Sequence, residues 1–243
     1  MRIGVLGTGT IATAVVHGIA DDGHNITVSE RSAVNATSLA AAYATVSIAD
    51  NQAVLDHCDV VFLGLMAETA GHLLPDLTFR SDHRVISFMA GASLAQVTEL
   101  VAPATAEAVM MPFPGIAHGG SPILAQGNTD LIEMIFGGKN SVFPVRDDKE
   151  MSAYLSAQAV LSPVARMVET ASTWLGDRAT APEQGEAFMR ALVSSSLEQS
   201  NCSDLIEALN TPGGYNQRLR VHMEDSGQRA ALTKGLDDLE RGS

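Results

Sequence analysis

Three small residues near the start of the chain stand where a phosphate group can approach the backbone. The segment GVLGTGTIATAV places Gly7, Gly9 and Ala12 in a GxGxxA pattern between a short apolar run and a helix-forming run. In this pattern the first glycine permits a tight turn, the second lets a pyrophosphate reach the main chain, and the third small residue lets the helix pack closely on the strand. The free amides and the positive dipole end of the helix would then bind phosphates. The pattern predicts a dinucleotide site at Gly7, Thr8, Gly9, Thr10, Ile11 and Ala12.

The end of the second predicted strand bears on the type of dinucleotide. It reads VSERS and places an acid and a base side by side, Glu30 and Arg31, between the hydroxyls of Ser29 and Ser32. An acid here binds the ribose 2'-hydroxyl of NAD, whereas arginine with flanking hydroxyls suits the 2'-phosphate of NADP. We favour NADP, with Ser29, Arg31 and Ser32 around the phosphate and Glu30 turned away, and leave NAD as the alternative.

These residues belong to a pattern that alternates strands and helices. Short β-branched runs such as RIGVLG, NITVSE and DVVFLGL are separated by alanine-rich helical stretches from Arg2 to about Pro112. Such alternation indicates βαβ units and a parallel sheet. Beyond residue 146 the pattern changes to helix-length segments. We therefore predict an α/β Rossmann-type domain with a parallel sheet over residues 1–146 and an all-α domain over residues 147–243.

The composition excludes several classes of partner. The chain has 28 acidic and 15 basic residues and a formal net charge of -13, so it repels nucleic acid and anionic membranes. No stretch reaches the roughly 18 apolar residues of a membrane span, and the start of the chain lacks a secretory pattern. Cys58 and Cys202 lie far apart without neighbouring histidines, which predicts neither a disulfide nor a metal site. We expect a cytoplasmic protein that binds small molecules.

The order of motifs along the chain resembles that of the pyrroline-5-carboxylate reductase family. The matching segments are GTGTIATAV, SERS, DNQAVLDHCDVVFLGL, VISFMAGAS, VMMP and TPGG, which span essentially the whole chain. The resemblance implies an N-terminal Rossmann domain, a helical dimerisation domain and the reduction of a small cyclic imine by NADPH or NADH. It also implies that Pro212, Gly213 and Gly214 join two helices at a substrate site built between the subunits of a homodimer.

Further cofactor contacts follow from the resemblance by position. Asn51 matches the family's asparagine at the adenine end, and Ala90 and Gly91 match its Ala-Gly beside the nicotinamide. Leu65 and Met66 stand where the family has the Val-Lys of a Val-Lys-Pro segment, so both the lysine and the proline are missing here. These five positions complete the predicted cofactor site.

The segment that would bind the substrate departs from the family pattern. Phe113 in MPFPG replaces a polar asparagine near the nicotinamide. The family's Gly-Ser-Gly-Pro, whose amides bind the substrate carboxylate, becomes VLSP, in which only Ser162 and Pro163 remain. The apolar Val160 and Leu161 would narrow that niche, which puts proline synthesis itself in question.

The Pro-Gly-Gly loop carries the catalytic candidates. The family's threonine that hydrogen-bonds the imine nitrogen aligns with Asn216, and Tyr215 precedes it. Hydride transfer to an iminium carbon needs mainly positioning, so the Asn216 amide would suffice as a hydrogen-bonding partner. A ketone would need a proton donor within reach, for which Tyr215 is the candidate by placement. The substrate contacts predicted within the loop are Thr211, Gly213 and Gly214.

Three other functions compete with imine reduction. A 3-hydroxyacid dehydrogenase-like enzyme would need a lysine in the first long helix of the second domain, yet the stretch from Met151 to Thr233 has none. A deazaflavin-dependent NADP oxidoreductase resembles the Rossmann half but lacks a matching helical domain with Pro-Gly-Gly. A dinucleotide-binding dimer without catalysis would explain the lost polar positions. The first is disfavoured, and the other two stay as alternatives.

Overall fold

The computed structural model describes residues 1–242, which fall into two compact units. The first unit runs from Met1 to Met151, and the second begins at Ser152. The division therefore lies within the helix Asp148–Ala157.

The first unit is built on one sheet of eight strands with helices between them. The strands are β1 (Arg2–Leu6), β2 (Asn25–Ser29), β3 (Val46–Ala49), β4 (Val60–Leu63), β5 (Arg84–Ser87), β6 (Thr105–Pro112), β7 (Pro122–Gly127) and β8 (Ser141–Val145). The helices are α1 (Thr10–Ile19), α2 (Ala33–Ala42), α3 (Asn51–His57), α4 (Ala67–Leu73), α5 (Leu94–Leu100) and α6 (Asp130–Phe136). The strand order is β3-β2-β1-β4-β5-β6-β7-β8, and β1 to β6 are parallel. The predicted α/β fold with a Rossmann-type sheet is confirmed.

Two strands at one edge of the sheet were not predicted from the sequence. β7 is antiparallel to β6, and β8 runs parallel to β7 as the outermost strand. β8 contains Pro144, and its neighbour Phe143 is exposed. A proline is tolerated in an edge strand because one side of that strand has no partner that needs its N–H. The position of β8 at the edge of the sheet therefore explains how SVFPV forms a strand despite its proline.

The central strands hold the core because helices cover both faces of the sheet. All four residues of β4 are buried. The ring of Phe62 in this strand lies 5.2 Å from that of Phe88 and 6.0 Å from that of Phe136, centroid to centroid. Full burial of such a side chain contributes about 1.5–3 kcal/mol. This packing fixes the carboxyl ends of the parallel strands, where the candidate site residues follow.

The second unit contains only helices among its described residues. α7 (Asp148–Ala157) leads into a 3-10 turn at Gln158–Val160 and then into α8 (Leu161–Gly176). The remaining helices are α9 (Gln184–Gln199), α10 (Cys202–Ala208), α11 (Tyr215–Asp225) and α12 (Gln228–Glu240). The predicted helical C-terminal region is confirmed. Within residues 1–242 no helix has the length and apolar character needed to cross a bilayer.

Very little of the second unit is buried in the single chain. Between residues 152 and 242 only Ser172 and Gly185 are buried. These two lie where α8 packs on α9, because a Cβ at Gly185 would stand 3.2 Å from the main-chain oxygen of Ser172. In contrast, Trp174 is 60% exposed and Phe188 57% exposed. The apolar faces of this unit are therefore open to solvent in one chain.

Candidate functional site

The turn between β1 and α1 is held by small residues in direct contact. Gly7 has a φ of +89°, and a Cβ there would stand 2.6 Å from the main-chain oxygen of Gly64. A Cβ on Gly64 would stand 2.6 Å from the Cβ of Ala12. The first glycine and the alanine of the motif thus meet across Gly64, at the end of β4. Gly64 was missed in the sequence, although a glycine that directly follows the apolar run DVVFL is a sign of close backbone approach.

The second glycine of the motif leaves an open space at the start of α1. Gly9 is exposed, and a Cβ there would meet no atom within 4 Å. It is the N-cap of α1, and no side chain in the described residues caps this helix. The first amides of an α-helix, here those of Thr10, Ile11 and Ala12, have no acceptor within the helix. This donor set and the empty space beside Gly9 fit a diphosphate.

The residue between the two glycines is tied into the fold through its main chain. The carbonyl oxygen of Thr8 accepts hydrogen bonds from Thr13 Oγ1 at 3.2 Å and from Asn35 Nδ2 at 2.6 Å. The buried hydroxyl of Thr8 has no hydrogen-bond partner within residues 1–242. An unsatisfied buried hydroxyl costs about 1–3 kcal/mol, so an unmet donor stands in the loop where an anionic ligand would add acceptors.

The side chain of Ser29 contacts the turn after β1 and does not face solvent. Its side chain is fully buried, and its Oγ accepts a hydrogen bond from the Gly7 amide at 2.8 Å. This bond joins the carboxyl end of β2 to the loop after β1. The Ser29 hydroxyl, which was predicted to contact the 2'-phosphate, is out of reach of solvent. The phosphate cradle proposed below therefore contains Arg31 and Ser32 without Ser29.

A cleft opens beside Arg31. Its volume is about 460 Å³, and its lining residues are Arg31, Glu68, Thr69, His72 and Leu73. It lies between the turn that follows β2 and the helix α4 that follows β4. Glu30 and Arg31 are exposed, and Ser32 is half-buried as the N-cap of α2. The volume lies within the range of small-ligand sites, roughly 300–1,000 Å³.

The other predicted cofactor contacts follow the carboxyl ends of neighbouring strands. Asn51, half-buried, is the first residue of α3 after β3. After β4, Leu65 is buried against Gly7, whereas Met66 is 77% exposed. After β5 come Ala90 and Gly91, both exposed; a Cβ on Gly91 would meet no atom within 4 Å. In doubly wound sheets ligands bind outside the carboxyl ends of the strands, and the fold brings these loops to that one edge.

Of the residues predicted to contact substrate, Phe113 lies at the same edge of the sheet. It directly follows β6 and is half-buried. Ser162 and Pro163 lie in the second unit, in the first turn of α8, and both are exposed. The helix begins at Leu161, which is 69% exposed, and no side chain caps it within the described chain.

The Pro-Gly-Gly segment forms a tight turn that ends just before α11. The Gly214 amide donates to the Thr211 carbonyl at 2.9 Å, and Gly213 has a φ of +75°. Proline followed by a residue with positive φ is the pattern of a type II turn. α11 then begins with Tyr215 and Asn216; Tyr215 is 91% exposed and Asn216 is exposed. The turn thus presents two side chains and a helix N-terminus without a side-chain cap.

Side chains of α11 form hydrogen bonds with the turn and with the residue before it. Gln217 accepts a hydrogen bond from the Gly213 amide at 2.7 Å through its Oε1 atom. Arg220 donates to Asn210 Oδ1 at 2.8 Å, and Gln217 Nε2 donates to the same oxygen at 3.3 Å. Sequence reasoning missed Asn210, Gln217 and Arg220. For Gln217 and Arg220 the signal was their spacing, because residues three apart share one face of a helix.

Comparisons with known proteins agree with the motifs. The family model described as "NADP oxidoreductase coenzyme F420-dependent" matches residues 2–91. The pyrroline-5-carboxylate reductase of Corynebacterium melassecola is 26% identical over 250 residues, which cover 95% of this chain and 93% of the relative. Among solved structures, the 1-pyrroline-5-carboxylate reductase of Streptococcus pyogenes has a TM-score of 0.82 at 21% identity and covers 100% of this chain and 97% of its own.

A second solved structure has the same fold. The pyrroline carboxylate reductase of Plasmodium falciparum with NADP bound has a TM-score of 0.83 at 17% identity, over 100% of this chain and 96% of its own. The structures share the two-part architecture, and the curated relative extends the sequence match over both parts. The resemblance predicted from the motifs is therefore confirmed: over nearly its whole length this chain is similar to the pyrroline-5-carboxylate reductases.

Proposed function

We propose that this protein is an NAD(P)H-dependent oxidoreductase of the pyrroline-5-carboxylate reductase type, which transfers a hydride to the C=N carbon of a small cyclic imine. The observation that carries the proposal is the match to a curated pyrroline-5-carboxylate reductase through both the nucleotide loop and the helical unit. The enzyme class agrees with this relative, and the use of NADP agrees with the family model over residues 2–91. The substrate and the residue roles are our additions.

The cofactor would be held at the carboxyl edge of the sheet. The amides that follow Gly9 would bind the diphosphate, and Arg31 and Ser32 would bind the 2'-phosphate. Asn51 would lie at the adenine end. Leu65, Met66, Ala90 and Gly91 would border the rest of the cofactor. When bound, the reduced nicotinamide supplies the hydride.

The remaining task of the protein is to hold the imine and to stabilise its nitrogen. An iminium carbon is already activated, so a hydrogen bond from the Asn216 amide is sufficient at the nitrogen. Tyr215 would be the proton donor if the acceptor were a carbonyl. Both side chains are exposed in the single chain, and excluding water from them requires a second surface. A partner subunit would supply that surface.

The choice of imine depends on the first turn of α8. Leu161 stands where the resemblance implies a small residue, and Ser162 offers the one side-chain hydroxyl of the VLSP segment. A larger residue narrows the space for a substrate carboxylate. Phe113 replaces a polar group near the nicotinamide and makes that wall apolar. We propose a small cyclic imine as substrate, with pyrroline-5-carboxylate as the first compound to test.

A homodimer is part of this proposal. The large apolar side chains of the second unit, including Trp174 and Phe188, are exposed in one chain and would be covered by the same face of a second copy. Each Pro-Gly-Gly turn would then lie near the partner's cofactor. Sedimentation at micromolar concentration should give twice the mass of one chain, and a stable monomer would contradict both the dimer and the shared site. A cytoplasmic location also stays part of the proposal.

The test is the oxidation of NADPH and of NADH, followed at 340 nm, with pyrroline-5-carboxylate, piperideine carboxylates and uncharged cyclic imines. Turnover of pyrroline-5-carboxylate would support a working carboxylate niche, whereas turnover of the uncharged imines alone would place specificity elsewhere. Asn216→Ala should lower kcat/KM about 100-fold if Asn216 holds the imine nitrogen. Tyr215→Phe removes only a hydroxyl, so a comparable loss in that variant would assign the role to Tyr215.

The two alternatives give different results in the same assay. A dinucleotide-binding dimer without catalysis binds NADPH and reduces none of these imines. A deazaflavin-dependent oxidoreductase transfers hydride between NADP and the deazaflavin. The family model that mentions coenzyme F420 covers only residues 2–91, which is the nucleotide-binding half that both kinds of protein share. The full-length relative favours imine reduction over this alternative.

A further inference from the structure

The cleft beside Arg31 contains a carboxylate where the proposed cofactor needs positive charge. Arg31 reaches the cleft from the turn after β2, whereas Glu68 and His72 reach it from α4. Glu68 and His72 are four residues apart, so they lie on one face of the helix. Thr69 and Leu73 repeat that spacing one position later. Two parallel rows of α4 side chains thus form the wall opposite Arg31.

The polar side chains in this cleft have no partners among the described residues. No side-chain hydrogen bond or ion pair within residues 1–242 engages Arg31, Glu68 or His72. Arg31 and Glu68 line a cavity of only about 460 Å³, yet they do not form a salt bridge with each other. Charges within a cavity of this size act on one another across a distance comparable to the screening length, about 8 Å at physiological ionic strength. An anion that enters the cleft therefore experiences both of them.

The 2'-phosphate is the group that distinguishes NADPH from NADH. A phosphate monoester carries about -1.5 to -2 charges at neutral pH. Arg31 attracts it, and the carboxylate of Glu68 repels it. NADH has a neutral hydroxyl at the same position, so neither charge acts strongly on that group.

We infer that Glu68 is a specificity-determining residue that weakens the preference of this site for NADPH over NADH. The inference rests on the proposed function, because it requires the adenosine end of the cofactor to lie beside Arg31. It assigns to α4 a role in cofactor selection, opposed to the role of the turn after β2.

The experiment uses isothermal titration of the full-length protein with 2',5'-ADP and with ADP at pH 8. Only 2',5'-ADP carries a 2'-phosphate, whereas ADP carries both of its phosphates at the 5' position, and neither probe needs catalysis. Glu68→Gln should lower the dissociation constant of 2',5'-ADP about threefold to tenfold, while the dissociation constant of ADP changes less than twofold. The gain should shrink in 0.5 M salt, because screening weakens interactions between exposed charges. Arg31→Gln should weaken 2',5'-ADP selectively.

The matched control is Glu99→Gln, which removes one negative charge from an exposed position on α5 outside the cleft. It should leave the ratio of the two affinities unchanged. If Glu68→Gln changes the affinities for 2',5'-ADP and ADP equally, or changes neither, the inference is overturned while the dinucleotide site stays in place. If the unmodified protein binds neither probe, the nucleotide site of the proposed function and this inference both fail. If the Glu68 effect is found but no imine is reduced, only the proposed reaction fails.

Discussion

At the amino ends of the parallel strands charged side chains pair with one another, whereas at the carboxyl ends Arg31 and Glu68 have no side-chain partner within residues 1–242. Arg2 at the start of β1 donates to Asp59, with Nε 2.9 Å from Oδ2. Arg84 at the start of β5 donates to Glu107 of β6, with Nη2 2.7 Å from Oε2. The amino ends thus pair their charged side chains internally, and the carboxyl ends leave Arg31 and Glu68 available to a ligand.

The amino edge also closes the end of a helix. Arg80 donates to the carbonyl oxygens of Leu55 and Cys58, both at 2.9 Å, at the C-terminus of α3. The buried His83 lies 3.0 Å from the same Leu55 oxygen through Nε2, and its Nδ1 accepts from the Arg80 amide at 3.1 Å. These contacts add donors at the end of α3, where the Leu55 oxygen also accepts a long hydrogen bond of 3.4 Å from the Cys58 amide. The difference between the two ends of the strands thus lies in their charged side chains, which are paired at the amino ends and are without side-chain partners around Arg31 in the described part of the chain.

The largest expected effect on stability comes from Gly7, which lies at the carboxyl ends of the strands but also supports the fold. It is therefore an exception to the contrast. Gly7→Ala places a Cβ 2.6 Å from the Gly64 oxygen at a φ of +89°. We expect a loss of about 3 kcal/mol in the free energy of unfolding, from strain and overpacking together. Urea unfolding of the full-length protein measures it. A variant as stable as the unmodified protein would show that the loop relaxes without cost.

The next effect sharpens the contrast at the amino edge. Arg80→Met keeps the aliphatic stem and removes the hydrogen bonds to Leu55 and Cys58 together with the exposed ion pair to Asp82. The free energy of unfolding should fall by about 2 kcal/mol, mainly through the two carbonyl contacts, because water screens the exposed pair. Arg31→Met makes the same chemical change at the carboxyl edge, where no partner is lost. Arg31→Met should leave the urea midpoint unchanged and weaken the binding of 2',5'-ADP. Equal midpoints for the two variants would remove the distinction between the edges.

A third change separates ligand binding from stability. Gly9→Ala places a methyl group in the open space beside the start of α1, where no atom lies within 4 Å. The free energy of unfolding should stay within about 0.5 kcal/mol of that of the unmodified protein, as for a surface substitution, because the methyl group displaces nothing in the fold. Affinity for ADP should fall about tenfold or more, because the methyl group occupies the phosphate position. Calorimetry and urea unfolding on one preparation test both halves of the expectation.

A fourth effect concerns the pH dependence of stability. Burial is the main cause that lowers the pKa of His83 below its ordinary value of 6.5, and burial lowers the pKa of His24 in the same direction. A histidine with a lowered pKa binds fewer protons in the folded than in the unfolded state, so stability is retained above pH 6.5 and lost as the pH falls below it.

Urea midpoints between pH 7.5 and 5.5 test this expectation. His83→Gln should be less stable at pH 7.5, because the Leu55 contact changes, yet its midpoint should depend less on pH than that of the unmodified protein. The variant His24→Gln measures the contribution of the second histidine to the pH dependence separately. Identical pH slopes in the His83 variant and the unmodified protein would contradict the assignment.

The smallest effect lies at the surface of the same amino edge. Arg2 and Asp59 are paired, and a hydrogen bond from Arg2 is the main cause that lowers the pKa of Asp59. Water and salt screen exposed pairs, so Arg2→Gln should shift the urea midpoint less than Arg80→Met. What the pair does contribute should vanish as acid protonates Asp59. A midpoint shift as large as that of Arg80→Met would show that pairing alone stabilises this edge.

Much of the ligand edge in the first unit, and the Pro-Gly-Gly turn in the second, could be predicted from the sequence because local residue types determine them. The GxGxxA spacing, the apolar run before it and the helix after it are read within a dozen residues, and the structure has all three. The Pro-Gly-Gly break was predicted to stop one helix before the next, and α11 begins directly after Gly214. Turns of this kind depend on φ values that glycine and proline favour.

What could not be predicted depends on contacts between distant segments. Gly64 meets Gly7 only because β1 and β4 are neighbours in the sheet, and Ser29 is turned inward because its hydroxyl reaches the Gly7 amide. The strand β8 was missed because a proline is acceptable only at the edge of a sheet, and the sequence does not reveal which strand is outermost. The cleft between Arg31 and α4 likewise exists only once the sheet is assembled.

The two hydrogen bonds that the Thr8 carbonyl accepts have a consequence for the energetics of recognition. Thr13 on α1 and Asn35 on α2 hold the main chain of the glycine loop from two sides before any ligand arrives. Ordering a flexible loop on binding costs conformational entropy, and a loop that is already ordered avoids that cost. For the diphosphate of the proposed cofactor the loop would therefore need little ordering, and Asn35, which lies outside the motif, would contribute to affinity through preorganisation.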